Sequence, residues 1–567
     1  MGAILGYAFR GRMDRVCTIV TGQSGIDLGG IATRVARILQ KHEGTSPHVA
    51  KVEDYLKAIH LERNPDDVVR ARLLEPGGLQ MLLDRPKEYL RTLWADAVHR
   101  LVAEAPPVRR LLLCLHSTFF HTQSEDFFQC QDPRVLKAAL SLGQWQLSRV
   151  LTLIDDIYDI YIRLRAPRQL YHGDDSGDPF EEAVAATLNL MAVLDWRAME
   201  LSSAESLARE MGVPHLLVAT KNPTATLVES IVGRKRPVYL SHPISVVREF
   251  WQRGQEDAAN TIVAEVEELT EGLLASDEVY PFLPTAIDEF RIETEGNRRV
   301  PRLGRRWPRD AGPDPVYEAP VSANVNPLDP RDYWQSKSLR KKNRYAHHLL
   351  LEALARRLRQ QLNARDRKLV EQTEGLILYK PYSGGKISWG MFEEIRHRNT
   401  FVKYGLATEA QRPAVIVSPA SARAQWRIQV LVEELRSQGM VTLGERLEKN
   451  PDKLCRVSEA LASDVGVAAG LESGQLSGTT LRTCVEEVCP NFHFAGMPAF
   501  RGPLDGTAGV RKARWLDGKW GRLAREACNK DHIGEERLRS DLVLEEAPPV
   551  QELVAKLAAH LTRIKGE

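Results

Sequence analysis

Short apolar runs alternate with amphipathic stretches along residues 16–232. VCTIV (16–20) reads as a buried strand, and IATRVARILQKH (31–42) repeats its apolar positions at helical spacing. RRLLLCLHS (109–117) predicts another strand, and RVLTLIDDIYDIYIRL (149–164) begins as one that ends in two acids. PHLLVAT (214–220) is the last strand of this stretch, with a helix starting in NPTATLVESIVG. Such alternation predicts a parallel sheet covered by helices on both faces.

A second α/β unit opens at RPVYLSHPIS (236–245), runs through one long amphipathic helix at roughly 246–274 and reaches the apolar run VYPFLPTAIDEF. Residues 297–332, rich in Arg and Pro, predict a loop or arm, and a basic helix follows over 333–363. The α/β pattern resumes with GLILYKPY, SWGMFEEIRHRN and RPAVIVSP. Beyond about 425 the pattern is helical, from 465 it is irregular and Gly-rich, and an amphipathic helix over 549–564 closes it. The expected organisation is therefore a tail (1–15), a first α/β domain (16–232), a second (233–425) with a basic insertion at 297–360, and a mostly helical C-terminal region (426–567).

Composition narrows the class. A chain of 567 residues exceeds what one hydrophobic core supports, and 43% hydrophobic with 27% charged residues suits a globular protein. No apolar run reaches the length of a transmembrane helix, so no membrane partner is expected. MGAILGYAFRGRMDR lacks a basic start and a clear cleavage site, and seven scattered cysteines suit a reduced, cytoplasmic protein. A net charge of +2 selects no nucleic-acid partner. Cys484, Cys489 and His493, with Cys528 and His532 further on, offer a weak zinc candidate, since their spacing matches no standard ligand set.

Candidate chemistry begins at Gly22-Gln23-Ser24-Gly25-Ile26-Asp27-Leu28-Gly29, a glycine-rich turn between a strand and a helix. Free backbone N–H groups at such a turn attract phosphate. The stretch resembles the phosphate loop of the P-loop NTPases, with Leu28 where the lysine belongs and Gly29 where the magnesium hydroxyl belongs. Thr33 and Arg34 lie one turn on. Asp155 and Asp156, at the end of an apolar run, resemble a Walker B segment, and Arg163 and Arg165 trail them as lid arginines do in the nucleotide-kinase branch. The resemblance implies a degenerate P-loop-like sheet with nucleotide contacts from Gly22, Ser24, Gly25, Asp27, Asp155 and Asp156, and a nucleotide there would bring Mg2+. Without the lysine, efficient phosphoryl transfer is not expected.

The second unit carries a different pattern. A strand ending in Tyr-Leu-Ser-His-Pro (239–243) is followed later by a strand with a Gly/Ser loop, and then S-x-G-x-x-x-E-I (388–395) opens a helix. This order resembles the nucleoside 2-deoxyribosyltransferase family over about 236–420 and implies a flavodoxin- or Rossmann-like domain that assembles as a homo-oligomer. By that resemblance Glu394 stands at the catalytic nucleophile, Glu393 is its near rival, and Asp366 lies at the distance of the family's Asp. Ser241, His242, Ser388 and Gly390 would approach the sugar, Asp288 and Glu289 its hydroxyls or the base, and Tyr379 and Tyr382 would stack on the base. A carboxylate can trap the oxocarbenium-like sugar formed when an N-glycosidic bond breaks, and that step needs no cofactor. More distantly, the domain resembles TIR-type NAD hydrolases, so the substrate is a nucleoside, a nucleotide or an NAD-like molecule.

NRRVPRLGRRWPR carries six arginines, and with Trp307 and Tyr345 it could grasp phosphates and bases, although a nucleic-acid partner is not expected. Two other readings stay open: a nucleotide kinase or ATPase with a non-standard loop, and a nucleotide or nucleic-acid sensor without turnover.

Overall fold

Two five-stranded parallel sheets organise the chain, which is an α/β protein. The computed structural model describes residues 15–165 and 179–287 with short omissions, 291–295, 298–302, 341–380, positions between 382 and 398, 414–417, 542–544, 552 and 554–555. The chain divides into two compact units, Met1–Arg234 with Pro284–Lys368, and Lys235–Leu283 with Leu369–Glu567. The basic segment, which the sequence pattern counts with the second domain, thus falls largely in the first unit.

In the first unit the strands are β1 (Arg15–Gly22), β2 (His48–Lys51), β3 (Arg110–Cys114), a small hairpin of β4 (Phe119–His121) and β5 (Asp126–Phe128), then β6 (Trp145–Ile154) and β7 (His215–Ala219). The sheet order is β2-β3-β1-β6-β7. β1 lies between β3 and β6 and is buried over most of its length, which explains its nearly unbroken apolar reading. Its connection leads toward β3 and that of β6 toward β7, so the chain changes direction between these two neighbours.

The helices are α1 (Leu28–Glu43), α2 (Val52–Arg63), α3 (Leu79–Leu83), α4 (Lys87–Glu104), α5 (Pro133–Leu142), α6 (Ile157–Arg165), α7 (Pro179–Met211) and α8 (Thr224–Val232). Local chemistry fixes several ends. Asp132 caps α5 just before Pro133, whose fixed φ suits a first helical turn. Gly44 ends α1 at φ 69° and Gly233 ends α8 at φ 71°, left-handed conformations that a side chain resists. Leu93, Trp94, Ala97, Val98 and Leu101 of α4 join Leu111 and Leu113 of β3 and Cys17 and Ile19 of β1 in one apolar core. Burial pushes the Cys114 thiol up to about 12, as for a packing cysteine rather than a nucleophile.

In the second unit the strands are β8 (Arg236–Ser241), β9 (Val279–Phe282), β12 (Gly375–Tyr379), β15 (Ala414–Val417) and β16 (Leu542–Leu544), in the order β16-β15-β12-β8-β9. Between them in the chain come the hairpin β10 (Arg291–Glu295) and β11 (Arg298–Arg302), which belongs to the first unit, and the short pair β13 (Tyr382–Ser383) and β14 (Lys386–Ile387). β16 comes from the C-terminal region that the sequence pattern treats as separate, yet it pairs in parallel with β15.

The single helix expected over 246–274 is two, α9 (Ile244–Gln252) and α10 (Glu256–Ala275). Gly254, at φ 73°, breaks the run, because its left-handed turn cannot continue a right-handed helix. The basic helix is α11 (Lys341–Gln372), with Leu351, Leu354, Leu358, Leu369 and Val370 buried. Among the described residues no helix is long and apolar enough to cross a membrane.

Candidate active site

The edge formed by the carboxyl ends of β8 and β12 gathers most of the second unit's candidate residues. β8 and β12 are neighbours, and the sheet proceeds from β8 outward to β9 and from β12 outward to β15 and β16. Open parallel sheets bind ligands beyond the strand carboxyl ends at such a reversal. Side chains two apart on a strand share a face, so Tyr239 and Ser241 project to the same side of β8. Both reach Glu394, on helical turns between residues 390 and 398.

The Tyr239 hydroxyl donates to Glu394 Oε1 at 2.7 Å, and the Ser241 hydroxyl donates to Oε2. Glu394 is 8% exposed, and both donors are buried. Two hydroxyls on two carboxylate oxygens leave the side chain little rotational freedom. Glu393, its rival, is only half-buried. Ser388 is buried close to the start of the same turns, whereas Gly390 is exposed and a Cβ added there would meet open space.

His242 is buried, and its Nδ1 bonds the Leu240 carbonyl at 3.2 Å. Burial pushes its imidazole down to about 4, so the ring is neutral near pH 7. Tyr379 turns away from Glu394's partners and donates to Glu265 of α10 at 3.2 Å, while Lys380 pairs with the same carboxylate at 2.7 Å. Burial, then the Glu265 charge, raises the Tyr379 phenol. Asp366 lies on the part of α11 that belongs to the first unit, bonded to Arg365 at 2.9 and 2.8 Å. Asp288, Glu289, Trp307 and the zinc candidates Cys484, Cys489, His493, Cys528 and His532 lie outside the described residues, as do the side chains of Tyr345 and Tyr382.

The glycine-rich loop of the first unit sits at the carboxyl end of β1. Its Gly25 adopts φ 90°, and Ile26 N–H donates to the Gln23 carbonyl at 3.3 Å. Ile26 and Leu28 are buried, so the residue at the lysine position packs into the core. Asp27 caps α1 by accepting from Gly30 N–H at 2.9 Å, which puts a carboxylate at the helix start. Ser24 is half-buried. Lys51, at the end of β2, lies so close over Gly29 that a Cβ there would come within 1.7 Å of its Cε.

One strand over, Asp155 and Asp156 follow β6, and Asp159 follows on α6; all three are buried. Their carboxylate oxygens lie within 4.8 Å of one another, a grouping with the chemistry to hold a metal ion. Lys221, just past β7, enters the same cluster: its Nζ bonds Asp156, reaches Asp159 at 2.6 Å and lies 3.4 Å from Asp155. Arg163 pairs with Asp155 and also donates to the Gly25 carbonyl at 2.7 Å, tying acid cluster to loop.

A second buried network crosses the same sheet end. Glu200 of α7 accepts from the backbone N–H groups of Ser117 and Thr118, both at 2.8 Å, and from the Thr21 hydroxyl. His116 donates to the Gly22 carbonyl and pairs with Glu53 at 2.6 Å. Burial alone would lower the His116 imidazole, but the Glu53 charge and hydrogen bond, with Glu200 and the Gly22 carbonyl, lift it to about 9.

Sequence reasoning missed Tyr239, Lys221 and His116. The i, i+2 spacing from Ser241 could have pointed to Tyr239, and the lysine after the strand neighbouring β6 could have been asked what it faces. The chain matches no family model and no curated protein.

Proposed function

We propose that the second unit cleaves the N-glycosidic bond of a nucleoside or nucleotide, with Glu394 as nucleophile. The observation that supports this reading best is the buried Glu394 carboxylate, oriented by Tyr239 and Ser241 at the β8–β12 reversal. The strand order agrees with a flavodoxin-like domain, as the resemblance to the nucleoside 2-deoxyribosyltransferases implies. A Glu394 oxygen attacks the anomeric carbon as the C–N bond breaks, and the departing base takes that electron pair and a proton from solvent water. The resulting glycosyl ester is released by water, giving hydrolysis, or by a second base, giving transfer. Tyr239 and Ser241 hold the carboxylate on its line of attack, and neutral His242 adds no charge that would oppose the developing cationic sugar.

The test is chromatographic: full-length protein incubated with nucleosides, nucleotides and NAD, with and without a second free base, beside Glu394→Gln. Base release by the wild type that the variant lacks supports the reading. Equal release by both proteins, or none by the wild type across the panel, overturns it.

A further inference from the structure

The magnesium that a nucleotide would bring to the first unit meets a site already supplied with cations. Asp155, Asp156 and Asp159 form a buried acidic cluster beside the glycine-rich loop, where the P-loop resemblance expects a divalent ion. Three buried carboxylates cannot stay ionised together without compensating positive charge. We infer that the Lys221 ammonium is the resident cation of this cluster, standing where a divalent ion would stand, and that this end of the first sheet holds no metal.

Three observations carry the assignment. The first is geometric: one Nζ contacts all three carboxylates, bonding Asp156, reaching Asp159 at 2.6 Å and approaching Asp155 at 3.4 Å. An ammonium has three N–H donors and no acceptor, which matches three converging carboxylate oxygens. The second is topological: β7 is paired with β6 in the register Ile154↔Ala219, and Thr220 N–H continues the ladder to the Ile154 carbonyl at 2.8 Å. The sheet itself therefore delivers Lys221 alongside Asp156. The third is that two neighbouring charged groups, Arg163 and Asp27, are engaged within the chain. Arg163 spans from Asp155 to the Gly25 carbonyl, and Asp27 takes the Gly30 N–H at the helix start. A divalent ion entering the cluster has to expel the ammonium, and Mg2+, which demands near-octahedral oxygen ligands, does not fit this donor set with the lysine in place.

The experiment is a Mn2+ titration of full-length protein, followed by the electron-paramagnetic-resonance signal of free Mn2+. Wild type and Asp156→Asn are expected to take up the same amount of Mn2+, because the cluster contributes no site. Lys221→Met is expected to gain one Mn2+ per chain, and the double variant Lys221→Met/Asp156→Asn to lose it. Mn2+ uptake by wild type that disappears in Asp156→Asn overturns the inference, and so does a folded Lys221→Met with no gain. The wild-type arm stands by itself where Lys221→Met does not fold.

Discussion

Both sheets bring carboxylates to the carboxyl ends of central strands, but the carboxylates keep different company. In the first unit Asp155, Asp156 and Asp159 face Lys221 and Arg163, and Asp27 faces a helix N-terminus. In the second, Glu394 is held by two neutral hydroxyls, from Tyr239 and Ser241. An ion pair offsets a carboxylate's charge within the fold, whereas the two hydroxyls orient the Glu394 carboxylate without adding a charge of their own. The same placement in a parallel sheet thus sets acids against cations in one unit and orients an acid by hydroxyls in the other.

Glu394→Gln breaks this contrast most sharply. If Glu394 is the nucleophile, as proposed, its loss is expected to lower base release about a thousandfold or more, measured in the chromatographic assay, with little change in melting temperature. Lys221→Ala should act in the opposite way on the first unit. It removes the ammonium shared by three buried acids, at a cost of about 3–5 kcal/mol, read as a fall in urea midpoint. Glycosidic activity in the folded fraction should persist.

The third expectation concerns pH. Because the His116 pKa is raised from 6.5 to about 9, its ion pair with Glu53 contributes fully below pH 6.5 and is lost as pH rises through 9. Up to about 3 kcal/mol is at stake, visible as a urea midpoint that drops between these pH values in wild type and stays flatter in His116→Gln. The smallest effect is expected from Tyr239→Phe, which removes one hydrogen bond to the carboxylate. That is worth about 1.5–3 kcal/mol, or roughly ten- to a hundredfold in kcat/KM.

Much of the fold was legible because parallel, buried strands leave an apolar signature. VCTIV, RRLLLC, PHLLVA and GLILY all fall on β1, β3, β7 and β12. HVAK of β2 was not legible, being four residues of mixed character whose place depends on pairing with β3. LVL of β16 was hidden for the same reason, since three apolar residues become a strand only beside β15. Periodicity also joined α9 to α10, because an apolar face continues across Gly254 although the backbone does not. In the candidate site, Ser241 and Glu394 were marked by motif order, but Tyr239 looked like an ordinary core residue of a strand. Lys221, in TKNP, reads as a turn, and only strand pairing reveals that it faces three acids.

The late arrival of β16 bears on how the protein is made. Residues enter the second sheet from position 236 to position 544, and Pro284–Lys368 of the first unit is synthesised in between. A ribosome therefore passes from Val417 to Leu542 before β15 acquires its outer neighbour. Until then that strand presents unpaired backbone groups to any nascent chain nearby. Neither unit can be excised by a single cut, so expression trials that shorten the chain from its C-terminus should lose soluble protein once they pass Leu542.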